Sequence, residues 1–189
     1  MKELIEKLIL DSIRVKELLL KGQVPNIERA ASEIIKSFKA GGKLLVFGNG
    51  GSAADSQHIA AELVGRFKKE RKALAAIALT TNTSTLTALA NDYSYEITFS
   101  RQIEALGNGN DVALAISTSG NSRNVIDAIK KAKSLSLMTI GLIGGDGGGL
   151  KRECDIAIVV PSDDTPRIQE SHIAIGHILC QLAEDALFG

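Results

Sequence analysis

The stretch that decides the fold is KLLVFGNGGSAADSQHIAAEL, residues 43–63. It opens with the apolar run KLLVF at 43–47, continues through a glycine-rich loop and enters a helical pattern near Ala53. A strand that is apolar throughout, instead of alternating with polar residues, is typical of a parallel sheet covered by helices on both faces. The stretch therefore predicts the strand–loop–helix unit of a doubly wound α/β fold.

The rest of the chain repeats this alternation of apolar runs and helical patterns. Parallel strands joined through helices take right-handed crossovers, so the alternation predicts one five-stranded parallel sheet. Neither an internal repeat nor a long linker divides the sequence into separate units. The predicted strands are 43–47, 73–79, 111–117, 137–143 and 155–160, and the predicted helices that follow them are 53–67, 96–106, 123–134 and 166–187.

Two further helical patterns, at 3–20 and 27–38, precede the first strand. Such helices either cap the sheet or form an oligomer interface. The first is rich in Leu and Ile on more than one face, which favours the interface. We therefore expect residues 1–40 to form N-terminal helices for oligomerisation and residues 41–189 to form the α/β domain, within one structural unit overall.

The composition argues against several classes of protein. The 189 residues carry 22 Lys and Arg against 22 Asp and Glu, whereas a duplex nucleic-acid binder usually has a basic excess. The longest apolar run, 73–79, is much shorter than the ~20 residues that span a bilayer. The N-terminus carries Glu3 and Glu6, unlike a signal peptide, and two cysteines give no disulfide framework. We expect a cytoplasmic protein that binds neither nucleic acid nor membrane.

Two loops at predicted strand ends look suited to bind an anion. GNGGS at 48–52 follows the first strand, and STSGNS at 117–122 follows the third. Ligands of open parallel sheets bind beyond the carboxyl ends of the strands, where glycines and helix-start N–H groups can surround a phosphate. Hydroxyls in the second loop add donors for a phosphate monoester. The alternative interpretation is a pair of helix caps on tight turns.

The first loop also matches a variant of the dinucleotide fingerprint, G-x-G-x-x-A, through Gly48, Gly50 and Ala53. That fingerprint expects an acidic residue at the end of the following strand. The chain has Thr80, Thr81 and Asn82 there, so nucleotide binding is the weaker hypothesis.

Polar side chains on two predicted helices could carry chemistry. His58 and Glu62 are four residues apart and share a helix face, about 6 Å from each other, which suits a metal pair, an acid–base pair or an exposed polar pair. On the last helix Gln169 and His177 are eight residues apart, roughly 12 Å along the axis. One unbent helix does not easily bring both to a small ion, and His177 alone resembles a core histidine.

Four separated motifs carry a resemblance to a known family: GNGGSAADSQHIAAEL at 48–63, AND at 90–92, AISTSGNS at 115–122 and RIQESHIAIGHIL at 167–179. Together they resemble the sugar isomerase (SIS) domain and, within it, the phosphoheptose isomerase family. The resemblance implies a flavodoxin-like αβα sandwich and a homotetramer with active sites at subunit interfaces. It also implies conversion of D-sedoheptulose 7-phosphate to D-glycero-D-manno-heptose 7-phosphate, for heptose biosynthesis.

The resemblance also implies roles for individual residues, although the segment TTNTSTLTAL at 80–89 is less alike. Catalysis would fall to Glu62 as general base and His177 as general acid, a pair able to move the protons of an enediol intermediate. The implied phosphate ligands are Ser117, Thr118, Ser119 and Ser122; the implied sugar ligands are Asn49, Gly50, Gly51, Glu62, Asn91, Asp92 and Gln169; and the implied ligands of one zinc ion per subunit are His58, Glu62, Gln169 and His177.

Two alternatives belong to the same family. One is a non-catalytic tetrameric scaffold that binds the bacterial replication initiator, and the other is an isomerase for a different sugar phosphate. A scaffold has no need of an acid–base pair, and this chain has both Glu62 and His177. The pair therefore favours an enzyme.

Overall fold

A computed structural model describes all residues, 1–189, and confirms the predicted sheet. Five parallel strands lie in the order β2-β1-β3-β4-β5, which is the flavodoxin-like order. Each strand after the first lies beside a neighbour of the same direction, as crossovers through helices require. The strands are β1 Leu44–Gly48, β2 Ala76–Ala78, β3 Val112–Ser117, β4 Met138–Gly144 and β5 Ile156–Val160.

Eight α-helices cover the sheet, with a single 3-10 turn at Tyr95–Ile97. The helix at 123–134 begins and ends where the sequence predicts, and the first and last helices extend one to two residues beyond the predicted bounds. The helices are α1 Lys2–Gly22, α2 Val24–Lys39, α3 Gly51–Val64, α4 Thr83–Asp92, α5 Thr98–Leu106, α6 Arg123–Ser134, α7 Leu150–Glu153 and α8 Thr165–Phe188.

Two apolar layers form the core, one on each face of the sheet. Successive residues of β1 point to opposite faces: Leu44 and Val46 pack with α2, α3 and α8, while Leu45 and Phe47 pack with α5 and α6. All four side chains are buried. This two-sided burial explains why the strand sequence is apolar throughout, and it produces an αβα sandwich.

The structure differs from the sequence prediction around β2. The strand covers three residues instead of the predicted run 73–79, and α4 occupies a Thr-rich segment for which no helix is predicted. Thr has a low helix propensity, but Asn82 caps the helix by accepting a hydrogen bond from the Thr85 N–H at 3.0 Å. Helix α3 ends at Val64 instead of Phe67 because the following residues fold back onto α8.

The N-terminal helices are integrated to different degrees. Helix α2 packs on α8 and β5 and buries Ile27, Ala30 and Ile34 in the core. Helix α1 buries only Val15 and Leu19 and leaves most of its other apolar side chains exposed. The assignment of residues 1–40 to oligomerisation remains a prediction. None of the helices combines the length and the apolar character needed to cross a membrane.

Candidate active site

The crevice of the sheet lies between β1 and β3, where the strand order reverses. Gly48 at the end of β1 pairs with Ile116 near the end of β3, so the two strands end side by side. The loop at 48–52 and the loop at 117–122 therefore emerge next to each other, as the sequence predicts. In doubly wound sheets this switch point is where ligands bind.

A hydrogen-bonded trio of side chains links the two loops. Asn49 donates from Nδ2 to Oδ1 of Asn124 at 2.9 Å, and Asn124 donates from Nδ2 to Oδ1 of Asn49 at 3.0 Å. The Tyr95 hydroxyl also donates to Asn49 Oδ1, at 2.9 Å. The sequence analysis missed Asn124 and Tyr95. The only available signal for Asn124 was an amide in the first turn of α6, which usually indicates a helix cap.

The serine loop is held in a compact turn by its own hydroxyls. Ser117 Oγ lies 3.2 Å from Ser122 Oγ and accepts a hydrogen bond from the Gly120 N–H at 3.2 Å. Gly120 has a φ of +65°, and a Cβ there would lie 2.2 Å from the carbonyl oxygen of Gly147, so only glycine fits. Ser119 is exposed, and its Oγ accepts from the Asn121 N–H at 3.2 Å.

A cleft of about 430 Å³ opens beside this loop. Half-buried Thr118 and exposed Ser119 line one side of it. The other sides are formed by the ends of β4 and β5, and the lining includes Asp146 and Asp163 but neither Lys nor Arg. Any anion bound here would depend on hydroxyl and amide donors.

A second cluster lies where α3 and α8 run side by side. His58 Nε2 is 3.1 Å from Glu62 Oε1 and 3.3 Å from His177 Nε2, and the ligand atoms of the three residues all lie within 4.8 Å of one another. Two ring nitrogens at this distance repel unless a proton or a cation lies between them. The group is therefore a possible metal-binding site with two nitrogen donors and one carboxylate oxygen.

Close approach of the two helices brings His177 into this cluster. A Cβ on Gly176 would lie 2.8 Å from the Ile59 side chain, so glycine lets α8 pack tightly against α3. His177 is partly buried and also packs against the Phe67 ring, with the ring centroids 5.6 Å apart. Its spacing in the sequence indicated a core histidine, whereas the structure places it beside His58.

The structure places Gln169 away from this cluster. Its amide nitrogen lies against Gly51, where a Cβ would be 2.3 Å from Nε2, about two helical turns before His177. Within one chain the four residues implied as zinc ligands therefore do not meet at one point. Their joint role remains a prediction.

The remaining implied sugar ligands lie around the crevice. Gly50 has a φ of +56° directly before α3, where Gly51 begins the helix. Asn91 and Asp92 are exposed at the end of α4, and the Asn91 amide donates to the Asp92 carboxylate at 2.9 Å. Neither of these two makes a hydrogen bond to the two loops.

Asp55 is a further polar residue that the sequence analysis missed. It lies one turn before His58 on α3, and its buried Oδ2 has no hydrogen-bond partner. Burial raises the pKa of the Asp55 carboxyl above its ordinary value of 3.8, while the charge of His58 acts in the opposite direction.

Comparison with known proteins identifies the family. The family model for the SIS domain matches residues 11–144. A phosphoheptose isomerase from Clostridium acetobutylicum is 56% identical over the whole chain and 97% of the relative. Two solved phosphoheptose isomerases superpose closely on this chain. The structure from Neisseria gonorrhoeae has a TM-score of 0.93 and 43% identity, and the match covers 97% of this chain and 98% of the other. The structure from Francisella tularensis has a TM-score of 0.94 and 39% identity, and the match covers 97% of each chain. With these similarities the chain belongs to the phosphoheptose isomerase family of SIS-domain enzymes.

Proposed function

We propose that this isomerase converts D-sedoheptulose 7-phosphate to D-glycero-D-manno-heptose 7-phosphate, the aldose that heptose biosynthesis uses. One observation carries the proposal. Glu62, His58 and His177 converge from two helices, one of which begins at the glycine loop of the ligand crevice. A carboxylate and an imidazole close to each other are the groups that an aldose–ketose isomerisation needs.

The phosphate end of the substrate binds the serine loop. Ser117, Thr118, Ser119 and Ser122 supply hydroxyls, and α6 begins directly after them. Because no cationic side chain lines the adjacent cleft, several weak donors and the positive end of the α6 dipole must act together.

The sugar hydroxyls bind along the rest of the crevice. The ligands are Asn49, Gly50, Gly51, Asn91, Asp92 and Gln169, with Glu62 at the reacting carbons. The position of Gln169 against Gly51 supports a role at the sugar.

Proton transfer is the task of Glu62 and His177. Glu62 removes a proton from C1 of the ketose, and the electron pair of that bond forms the C1–C2 double bond of the enediol. His177 delivers a proton to the C2 carbonyl oxygen at the same time. Return of a proton to C2, with loss of the O1 proton as the C1 carbonyl forms, gives the aldose without net oxidation.

A metal ion fits the cluster, and we propose zinc, one per subunit. His58, Glu62 and His177 would hold it, and Gln169 could join them if it came from a second chain. Two imidazoles and a carboxylate are a set of protein ligands that catalytic zinc sites use. When bound, zinc would supply Lewis-acid polarisation of the carbonyl and stabilisation of the enediolate charge.

We also propose a cytoplasmic homotetramer with active sites at its subunit interfaces. The exposed Leu and Ile side chains of α1 support an interface on residues 1–40. Shared sites would also explain how Gln169 and His177 could serve one ion in spite of their separation.

The test is direct conversion. Purified protein is incubated with sedoheptulose 7-phosphate, in parallel with fructose 6-phosphate and ribulose 5-phosphate. Borodeuteride reduction then places deuterium on C1 of an aldose and on C2 of a ketose, and fragment masses in mass spectrometry distinguish the two. We expect the heptulose phosphate to be the preferred substrate. Preference for a shorter sugar phosphate would show that the enzyme is a SIS isomerase for that substrate. If none of the three sugar phosphates is converted, the result favours the non-catalytic scaffold.

A further inference from the structure

A buried ion pair outside the crevice joins α8 to the segment that follows α3. The side chains of Arg71 and Glu184 are each only 1% exposed, and Arg71 Nε donates to Glu184 Oε2 at 3.1 Å. A pair buried to this degree needs further hydrogen bonds to offset the loss of hydration. The structure supplies them on both sides of the pair.

Glu184 accepts hydrogen bonds from three backbone N–H groups that follow α3. Its Oε2 accepts from the Phe67 N–H at 3.1 Å, and its Oε1 accepts from the Lys68 and Lys69 N–H groups at 2.8 Å each. Burial alone would raise the pKa of Glu184, but these three N–H donors and Arg71 together lower it. The carboxylate thus remains charged and holds this backbone against α8.

Arg71 binds the last carbonyl groups of α3. Its Nη2 donates to the Glu62 carbonyl at 2.9 Å, and its Nη1 donates to the Leu63 carbonyl at 2.7 Å and to the Gly65 carbonyl at 3.1 Å. The final carbonyls of a helix have no partner within the helix, so Arg71 acts as its C-terminal cap. The turn that it caps carries Glu62.

The pair therefore acts on both helices that carry the candidate catalytic cluster. Arg71 fixes the turn of Glu62 on α3, and Glu184 lies two turns beyond His177 on α8. Glu184 also fixes the backbone of Phe67, whose ring packs on His177. The two residues thus hold the C-terminal parts of α3 and α8 together, and the packing of these helices sets the distance between Glu62 and His177.

We propose that Arg71 and Glu184 are positioning residues that fix Glu62 relative to His177 for proton transfer. The proposal rests on the proposed function in so far as it assigns proton transfer to those two side chains. Both side chains are 1% exposed, so we assign them no contact with the substrate. Misplacement of reacting groups by about 1 Å can cost ~100-fold in rate, so the effect should appear in kcat and not in KM.

Glu184→Gln is the sharpest variant. Each Glu184 oxygen accepts two N–H groups, so in either orientation the glutamine NH₂ faces two donors. Arg71→Lys is the second variant, since it keeps the charge but cannot reach Glu184 and the α3 carbonyls together. We expect kcat to fall roughly 10–100-fold in both, with KM for sedoheptulose 7-phosphate changing less than about threefold.

Asp111→Asn is the matched control. Asp111 is also buried, accepts the N–H groups of Lys43 and Asn108 and pairs with the Lys43 ammonium at 2.6 Å, but it lies at the amino ends of the strands. This variant should lose stability while kcat stays at the wild-type value. An equal loss of kcat in Asp111→Asn would show a general effect of destabilisation and would overturn the proposal.

A second readout does not depend on turnover. The chain has three histidines, so selective ¹³C labelling resolves His58, His172 and His177 by NMR. In Glu184→Gln or Arg71→Lys the signals of His58 and His177 should shift, while buried His172 serves as an internal reference. Unmoved signals in a folded variant would overturn the positioning role. If the wild type fails to turn over the heptulose phosphate, these signals decide the proposal alone, and if Glu184→Gln does not fold, Arg71→Lys decides it.

Discussion

Asn49 and Asn124 hold each other through a reciprocal pair of amide hydrogen bonds, although 75 residues separate them in the sequence. Asn49 lies in the loop after β1, and Asn124 lies in the first turn of α6 after the serine loop. The pair therefore fixes the two halves of the ligand crevice relative to one another.

Asn124→Leu should weaken substrate binding. Leucine has the same branching at Cγ but makes no hydrogen bond, so Asn49 would lose two bonds and keep only Tyr95. With net values of about 1 kcal/mol per bond, the loss is about 2 kcal/mol, and we expect KM to rise roughly 30-fold. Steady-state kinetics would measure this, with Tyr95→Phe as a one-bond comparison of smaller effect. An unchanged KM in Asn124→Leu would mean that the crevice does not depend on the pair.

Ser119→Ala should raise KM and leave the fold intact. Ser119 is exposed beside the cleft, so its hydroxyl is free to reach a phosphate, and losing one of several donors costs about 1 kcal/mol or more. Ser134→Ala, at the far end of helix α6, which follows this loop, is the control. If both variants keep the wild-type KM, the phosphate binds elsewhere.

Glu62→Gln should abolish most turnover. Glutamine keeps the size of the side chain but cannot accept a carbon-bound proton, so we expect kcat to fall ~10²–10⁴-fold or more. Phosphate binding should persist because the serine loop is separate from Glu62. The measurements are kcat, substrate affinity by calorimetry and metal content, and zinc content should fall as well.

Glu104→Gln is the comparison for that experiment. Glu104 is an exposed carboxylate on α5 and pairs with Arg101 on the same helix. Helix α5 covers the face of the sheet opposite to α3 and α8. Its removal should leave kcat unchanged. Near wild-type turnover in Glu62→Gln would remove this residue as the base and strengthen the scaffold interpretation.

His172 should make stability depend on pH. It is fully buried, no hydrogen bond of good geometry reaches its ring, and burial lowers its pKa from 6.5 to about 4 against a small opposing effect of the Ile143 backbone. The unfolded chain binds the proton below pH 6.5 and the folded chain does not. Stability is therefore complete above pH 6.5 and falls as the pH drops towards 4.

Urea unfolding at pH 7.5 and 5.0 would measure this effect. We expect His172 to account for a loss of about 2 kcal/mol over that interval. His172→Leu removes the titrating group, so its loss over the same interval should be smaller by that amount. Equal losses in the variant and the wild type would exclude His172 as the source.

Helix α1 should hold the subunits together. Ile9 and Leu10 are more than half exposed in the single chain, and burying the exposed part of each against a second copy is worth about 1–2 kcal/mol. Light scattering should give four times the chain mass of 20.0 kDa. Ile9→Glu should lower that mass, whereas Ile77→Glu, on the edge strand β2, should not. A wild-type monomer at micromolar concentration would contradict the prediction.

The sheet is predicted well from the sequence because each strand is a short, uninterrupted apolar run followed by a glycine-rich or polar turn. Strand β3 and helix α6 have the bounds expected to within one residue. Helix α4 was not predicted, since none of its residues is fully buried and it shows no apolar periodicity, while Asn82 caps its start. The end of α3 was also missed, because Glu184, more than 100 residues later, sets it.

From residue spacing alone, the site could be predicted only where it is local in the chain, and the grouping of His177 with His58 and Glu62 was implied only by the family resemblance. The two loops and the His58–Glu62 spacing are local patterns, and the structure reproduces them. The approach of His177 depends on the packing of Gly176 against Ile59, for which the spacing of residues gives no sign. Buried Asn124 was not predicted either, because its partner Asn49 lies 75 residues away in the sequence.

The two loops belong to the ends of strands, whereas Glu62 and His177 belong to a pair of helices. Under the proposed function, the phosphate is therefore bound at strand ends while protons are moved by side chains of two helices. A change confined to Glu62 and His177 would leave the phosphate loop intact and remove turnover. Anchoring of the substrate and its chemistry can thus change independently in this architecture.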